Sequence, residues 1–220
     1  MQYFTKTSFI YSLSVLFCLL LVACGGDEGE NKTQSSPTAQ SVASPTQAIS
    51  DEAQMISIKG ESGDEAFSIE LNSEEALIKF GKGQKTLTGE LKRADKTKYY
   101  NEKGDIIAEV KYKDESIKLK NTNGDLLWKI KIKDDKIKIS NNEEGENAFE
   151  IKQNENGKYK VKLLEKTLGE AKFKDGKISI SGFQKYEISA ASNTPAYVVL
   201  AIKDIPEDLR LVIMAELLKK

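Results

Sequence analysis

The chain reads as mainly β: an antiparallel meander of repeated hairpins, curved or barrel-like, ending in a C-terminal α-helical hairpin. Three observations carry that reading. Apolar and polar residues alternate with a period of two through the middle of the chain. Turn-forming residues punctuate the alternation at short intervals. Near residue 190 the alternation stops and a helical spacing replaces it.

The alternation is clearest in Val110-Lys111-Tyr112-Lys113, Ile117-Lys118-Leu119-Lys120, Trp128-Lys129-Ile130-Lys131-Ile132-Lys133 and Ile137-Lys138-Ile139. Tyr159-Lys160-Val161-Lys162, Ala171-Lys172-Phe173-Lys174 and Ile178-Ser179-Ile180 continue it. Successive strand side chains point to opposite faces, so each segment predicts a strand buried on one side only. Between them, Lys113-Asp114-Glu115-Ser116, Lys133-Asp134-Asp135-Lys136, Asn156-Gly157 and Asp175-Gly176 have tight-turn chemistry. Asn-Gly and Asp-Gly reach positive φ at little cost, which hairpin turns require. Asn123-Gly124-Asp125 and Lys103-Gly104-Asp105 mark the opposite ends of the hairpins.

A repeat of about 20 residues emerges from these landmarks. Gly104-Asp105 opens one copy and Gly124-Asp125 the next, with Ile117-Lys118-Leu119 and Ile137-Lys138-Ile139 at matching offsets. Looser copies place Tyr159-Lys160-Val161 and Ile178-Ser179-Ile180 in the same role, and Leu91 to Gly104 forms an earlier one. Tyr99-Tyr100-Asn101-Glu102-Lys103-Gly104 through Glu109-Val110-Lys111-Tyr112 is similar to the MORN-variant hairpin repeats of bacterial proteins. The resemblance implies hairpins and carries no function. A single hairpin is marginal alone, so neighbours must pair. A meander of ten or more such strands closes into a barrel, splits into a two-sheet sandwich, or curves under a helical cover.

The helical tail begins at Thr194-Pro195, an N-cap followed by proline at the first helical position. Ala196 to Lys203 is nearly all apolar and should be buried. Asp204-Ile205-Pro206 breaks the run, and Glu207 to Lys220 predicts a second helix with Leu209, Val212, Ile213, Leu217 and Leu218 at helical spacing. Glu207 and Asp208 fall in its first turn and Lys219 and Lys220 in its last, matching the helix dipole. Arg210 and Glu216 join Glu207 and Asp208 on a thin polar face. The hairpin is expected to pack on the sheet, as a plug or a partial cover.

At the other terminus, Lys6 precedes an apolar run from Phe9 to Val22, and Leu21-Val22-Ala23-Cys24 closes it. The run is shorter than the ~20 apolar residues a membrane-spanning helix needs. It resembles the signal peptide and lipobox of bacterial lipoproteins. The resemblance implies cleavage between Ala23 and Cys24 and a lipid on the Cys24 thiol. It implies a membrane partner held through that anchor and residence in the cell envelope. Gly25 follows the cysteine, where aspartate favours inner-membrane retention, so the outer membrane is expected in a double-membraned cell. Two or three acyl chains hold a protein on a bilayer almost permanently. From Gly25 to about Gln54 the chain is rich in Gly, Ser, Thr, Gln and acidic residues and poor in large apolar ones, the composition of a disordered spacer. The expected organisation is a signal peptide over 1–23, a lipidated tether over 24–54, a hairpin domain over 55–190 and a helical hairpin over 191–220.

Composition restricts the chemistry. The chain has no histidine, which removes the usual general base and the commonest catalytic metal ligand. Its two cysteines are Cys18, in the signal, and Cys24, which leaves no free thiol and no disulfide in the mature chain. No Walker-type loop and no nucleophile elbow occurs. The carboxylate doublets Asp114-Glu115, Asp134-Asp135 and Glu143-Glu144 lie in expected exposed turns, where carboxyl groups keep ordinary pKa values. Asn141-Asn142-Glu143-Glu144-Gly145-Glu146-Asn147 is rich in hard oxygen ligands, but its spacing is not that of an EF-hand and a solvated loop is the expectation. No catalytic residue, metal or cofactor is expected.

The lysines are concentrated. Lys111, Lys113, Lys118, Lys120, Lys129, Lys131, Lys133 and Lys138 all take the polar side of strands. With a net charge of −1, the chain should combine a basic sheet face with acidic turns. The first seven form a candidate anion-binding face. The competing reading is a solvated face in which Glu70, Glu90, Glu109, Glu150 and Glu170 intercalate as cross-strand partners. That face lacks interleaved aromatics, so nucleic acid is not an expected partner. The function expected is a non-catalytic envelope lipoprotein, a tethered structural or interaction module with an envelope polymer or protein as partner. The alternatives are a carrier or binder of a hydrophobic or anionic ligand and, last, a carboxylate-based hydrolase.

Overall fold

The computed structural model describes residues 53–81, 83–189 and 192–220. The signal peptide, Ala23, Cys24 and nearly all of the tether lie outside the described residues. Fourteen strands follow one another: β1 Gln54–Lys59, β2 Glu65–Leu71, β3 Glu75–Phe80, β4 Lys85–Arg93 and β5 Lys96–Asn101. Next come β6 Ile106–Lys113, β7 Ser116–Lys120, β8 Leu126–Lys133, β9 Lys136–Ser140 and β10 Phe149–Gln153. The last are β11 Tyr159–Leu163, β12 Lys166–Lys174, β13 Lys177–Ser181 and β14 Tyr186–Ser189. Each pairs antiparallel with the next, and β14 pairs with β1, Ile58 opposite Ile188. The meander is therefore a closed barrel, one of the three expected forms, and closure leaves no sheet edge to pair with another chain.

The alternation decides which side chains enter the lumen. Ile69, Ile78, Leu87, Val110, Leu119 and Ile139 are fully buried inside, while the intervening Lys, Glu, Ser and Thr face outward. The repeat is visible in detail. β6 and β8 have the same sequence of exposed and buried positions, and each is paired with its preceding strand through a bulge at the same place. Asn101 and Asn121 cap the matching turns, each side-chain oxygen accepting the amides two and four residues on. This Asn-centred turn recurs at Asn154.

Turns after odd-numbered strands gather at one rim of the barrel and turns after even-numbered strands at the other. The C-terminal hairpin runs between these rims inside the lumen. Its first limb, Pro195–Ala201, starts with Thr194 as N-cap, accepting from the Ala196 amide. It is a 3₁₀ helix rather than the expected α-helix. The 3₁₀ form is narrower and rises more steeply, which suits a segment pressed against the inner wall of β10 to β13. The wall yields space at Gly169, where an added Cβ would lie 2.4 Å from the Ser181 carbonyl oxygen and 2.5 Å from Ala201 Cβ. The second limb, α1 Glu207–Leu218, returns through the centre. Lys85, at the start of β4, bonds Asp208 near one rim, and Lys220 stands 4.7 Å from the Tyr112 ring centre near the other.

Only part of the thin polar face expected on α1 meets water: Glu207 is exposed and Asp208 half-buried, while its other two members are enclosed. Arg210 is 6% exposed and Glu216 0%. Leu211, Val212, Ile213 and Met214 are all fully buried, so the helix is enclosed on every side from Arg210 to Leu217. Each such side chain contributes about 1.5–3 kcal/mol, which makes apolar burial the main force holding α1 in place. The helix ends at Leu218, so Lys219 is the C-cap and Lys220 lies beyond it, instead of both completing the last turn. Lys219 pairs with Glu216 at 3.6 Å.

The Gly169 contact makes a direct demand on the sequence. Gly169→Val should destabilise the fold by about 1–3 kcal/mol, as overpacking does, read from urea unfolding. Unchanged stability would show that the 3₁₀ limb does not press on β12.

Candidate functional site

Two groups of polar residues stand out: one closed inside the barrel and one spread over its outer wall.

The inner group centres on Glu216. Tyr99 of β5 donates to its Oε1 at 2.6 Å, and Tyr112 of β6 donates to its Oε2. Thr97 lies 2.9 Å from the Tyr112 hydroxyl. Burial pushes the Tyr99 and Tyr112 hydroxyls well above their ordinary pKa, and the nearby Glu216 carboxylate adds to it. Both phenols therefore remain protonated donors. The Tyr99 ring needs the bare backbone of Gly89, where a Cβ would come within 2.6 Å of it. At the opposite end of α1, Arg210 donates to the Leu200 carbonyl at 3.1 Å, which ties the two helical limbs together. Its guanidinium lies 4.7 Å from the Phe183 ring centre. These groups position the plug, with Glu216, Tyr99 and Arg210 buried and Tyr112 half-buried.

The outer group is built by register. Lys111, Lys113, Lys118, Lys120, Lys129, Lys131 and Lys133 all lie on outward positions of β6, β7 and β8. Strand pairing arranges the cations in rows that run around the barrel. One row sets Arg93 opposite Lys96, Lys96 opposite Lys111, Lys111 opposite Lys118, and Lys118 opposite Lys129. A second sets Lys133 opposite Lys136, Lys136 opposite Lys152, and Lys152 opposite Lys160. Like charges directly opposed on one face are destabilising.

The first row carries its own counterions. Arg93 pairs with Asp95 at 3.4 Å, and Lys96 pairs with Glu109. Glu143 bridges Lys118 at 2.7 Å and Lys129 at 3.0 Å. Hydrogen bonds from Lys118 and Lys129 lower the Glu143 pKa from its ordinary 4.5 to about 2. This overturns the expectation that turn carboxylates keep ordinary values, since the loop brings this one over the lysines. In the same loop Asn142 accepts the Gly145 and Glu146 amides through its side-chain oxygen. Both hard ligands are thus committed within the protein, and no cluster suited to a metal ion occurs among the described residues.

The intercalating glutamates divide. Glu109 also reaches Lys98 at 3.9 Å, Glu150 pairs with Lys138 at 3.6 Å and Lys152 at 3.3 Å, and Glu170 pairs with Lys158 at 3.0 Å. Glu90 bonds Lys92 within its own strand. Glu70 faces Met55 and Leu77 and joins no row. Lys120 donates to the Gly124 carbonyl of its own turn. The alignment of Lys136, Lys152 and Lys160 with Lys133 depends on strand register, which alternation alone does not report.

Comparison with known proteins finds no match: no family model, curated protein or solved structure resembles the chain. No described helix is long and apolar enough to cross a membrane.

The Glu143 bridge has a pH signature. A carboxyl whose pKa is lower in the folded state stabilises above its unfolded value and loses that contribution as pH falls through the folded one. The stability gap between the wild type and Glu143→Gln should be largest above pH 4.5 and close towards pH 2. Urea unfolding across that range checks it, and a gap that stays constant contradicts the bridge.

Proposed function

We propose that this chain is a non-catalytic, lipid-anchored module of a bacterial cell envelope, a rigid barrel held on a tether and presenting its outer wall to a partner. The observation that carries this reading is the filled lumen. Barrels that carry small hydrophobic molecules do so in an interior cavity. Here that space holds the chain's own C-terminal hairpin, with Ala196 to Leu200 and Leu211 to Ala215 buried in it. The hydrophobic-carrier alternative is accordingly disfavoured, and the anion-binding alternative, which uses the outer wall, is favoured.

Other features support the same reading. A barrel that spans a bilayer carries an apolar outer band, whereas this one turns lysines, glutamates, serines and threonines outward along β4 to β13. Such a wall suits water and polar partners, and the membrane link then falls to Cys24. Most carboxylates outside the lumen pair with lysines or lie in turns, and the buried Glu216 is held by two phenols, which supports a module without catalysis. The residence that follows is the envelope, in the outer membrane where the cell has one.

The anchor is testable in its own right. Mass spectrometry of the native protein should find an acylated Cys24 at the N-terminus, and Cys24→Ala should move the full chain out of the membrane fraction. An intact Met1 with an unmodified Cys24 thiol would remove the anchor and the location together.

A further inference from the structure

The two cation rows differ in a way that points to a ligand. Both oppose lysine to lysine across consecutive strands, an arrangement that costs stability. In the first row the chain supplies Asp95, Glu109 and Glu143 to offset that cost, and only Lys111 is without an ion pair among the described residues. In the second, Lys133, Lys136 and Lys160 have no ion-pair partner among the described residues, and Lys152 shares Glu150 at 3.3 Å and Asp135 at 3.9 Å. Beside it, Lys131 stands opposite Lys138, and Lys131 and Lys162 are likewise without an ion pair among the described residues. The same fold thus pairs all but one cation of the first ladder, and leaves three of the four lysines of its neighbour without an ion pair among the described residues, although Lys160 stands opposite Glu170 at its end.

We propose that the ladder Lys133-Lys136-Lys152-Lys160 binds a linear acidic polysaccharide lying across β8 to β11. Adjacent strands are about 4.8 Å apart, so the ladder offers one ammonium per strand at a spacing comparable to the length of a sugar unit. A polymer with one carboxylate per sugar can place successive charges on successive lysines. The ladder also follows the curve of a closed barrel. A flexible polymer can follow that curve, whereas a flat bilayer meets it along little more than one strand. Of the aromatic residues of these strands, Trp128 and Phe149 are buried inward, and Tyr159, on the inward alternation of Val161, is half-buried against the core, so the outward face has no stacking platform for bases. The side chains are lysines, which act as point charges and impose no fork geometry. That matches a repeating ligand whose register can slide. This inference rests on the outer wall being the working surface, and it names the partner class for it.

The test uses the full chain in neutral detergent, with polygalacturonate as the probe at low salt. The polymer should bind, monomeric galacturonate should not at the same sugar concentration, and affinity should fall steeply as salt is added. Lys136→Glu combined with Lys160→Glu converts the ladder to alternating charge. It should weaken binding on the order of tenfold or more. Lys166→Glu combined with Lys203→Glu makes the same change of net charge on exposed positions elsewhere, and should leave affinity within about twofold. Lys136→Gln with Lys160→Gln repeats the test without added acid and should also weaken binding. Equal losses in the ladder and control variants, no loss in either ladder variant, absence of polymer binding, or an equal affinity for single-stranded oligothymidylate would each overturn the proposal. Binding in detergent does not depend on acylation. Loss of binding with a lipid on Cys24 therefore counts against the ladder alone, and binding without that lipid counts against the anchor alone.

Discussion

A closed sheet of fourteen strands has an interior that its own side chains cannot fill. An eight-stranded barrel is about the size at which inward side chains meet. Wider ones hold water, a ligand or a plug. This chain resolves the constraint by sending its last residues back through the lumen. The sequence pays for that space in two recognisable ways. Gly169 and Gly89 remove side chains where the wall must admit Ala201 and the Tyr99 ring. The enclosed part of the hairpin is apolar apart from Arg210 and Glu216, as an enclosed helix mostly must be.

Polar groups inside such a plug are costly unless they are partnered. Glu216 meets that condition through Tyr99, Tyr112 and Lys219. Each of these bonds joins the end of α1 either to the wall or to itself, so they fix how far the helix is inserted and how it is rotated. Apolar burial supplies most of the energy and has little directional preference; the Glu216 bonds supply the direction. With the interior committed in this way, recognition passes to the outer wall, where strand register turns a lysine-rich composition into ordered rows. The function argued for this protein is therefore a consequence of what occupies its lumen.

Much of the architecture was legible from alternation alone. Runs such as Trp128 to Lys133 gave the strands and their buried sides, and Thr194-Pro195 marked the start of the helical tail. Closure was one of several open outcomes, because it depends on β1 meeting β14 far away in the chain. The 3₁₀ form of Pro195–Ala201 was not legible either, since it reflects the wall it lies against. Helical spacing places Arg210 and Glu216 on a thin polar face, but it reports a stripe and not what surrounds it, so their burial is not legible. The lysine face was visible as composition. Its division into a neutralised and an open ladder was not, since that division follows from register and from the reach of the 141–148 loop, which brings Glu143 over Lys118 and Lys129.

Amide hydrogen exchange of the full chain tests most directly whether α1 is part of the folded core. If the helix fills the lumen, the amides from Leu211 to Leu217 should exchange as slowly as those of the central strands, in the same global opening. Exchange of the helix well ahead of β5 to β8 would contradict the account, because it would describe a barrel that empties while its wall stays intact.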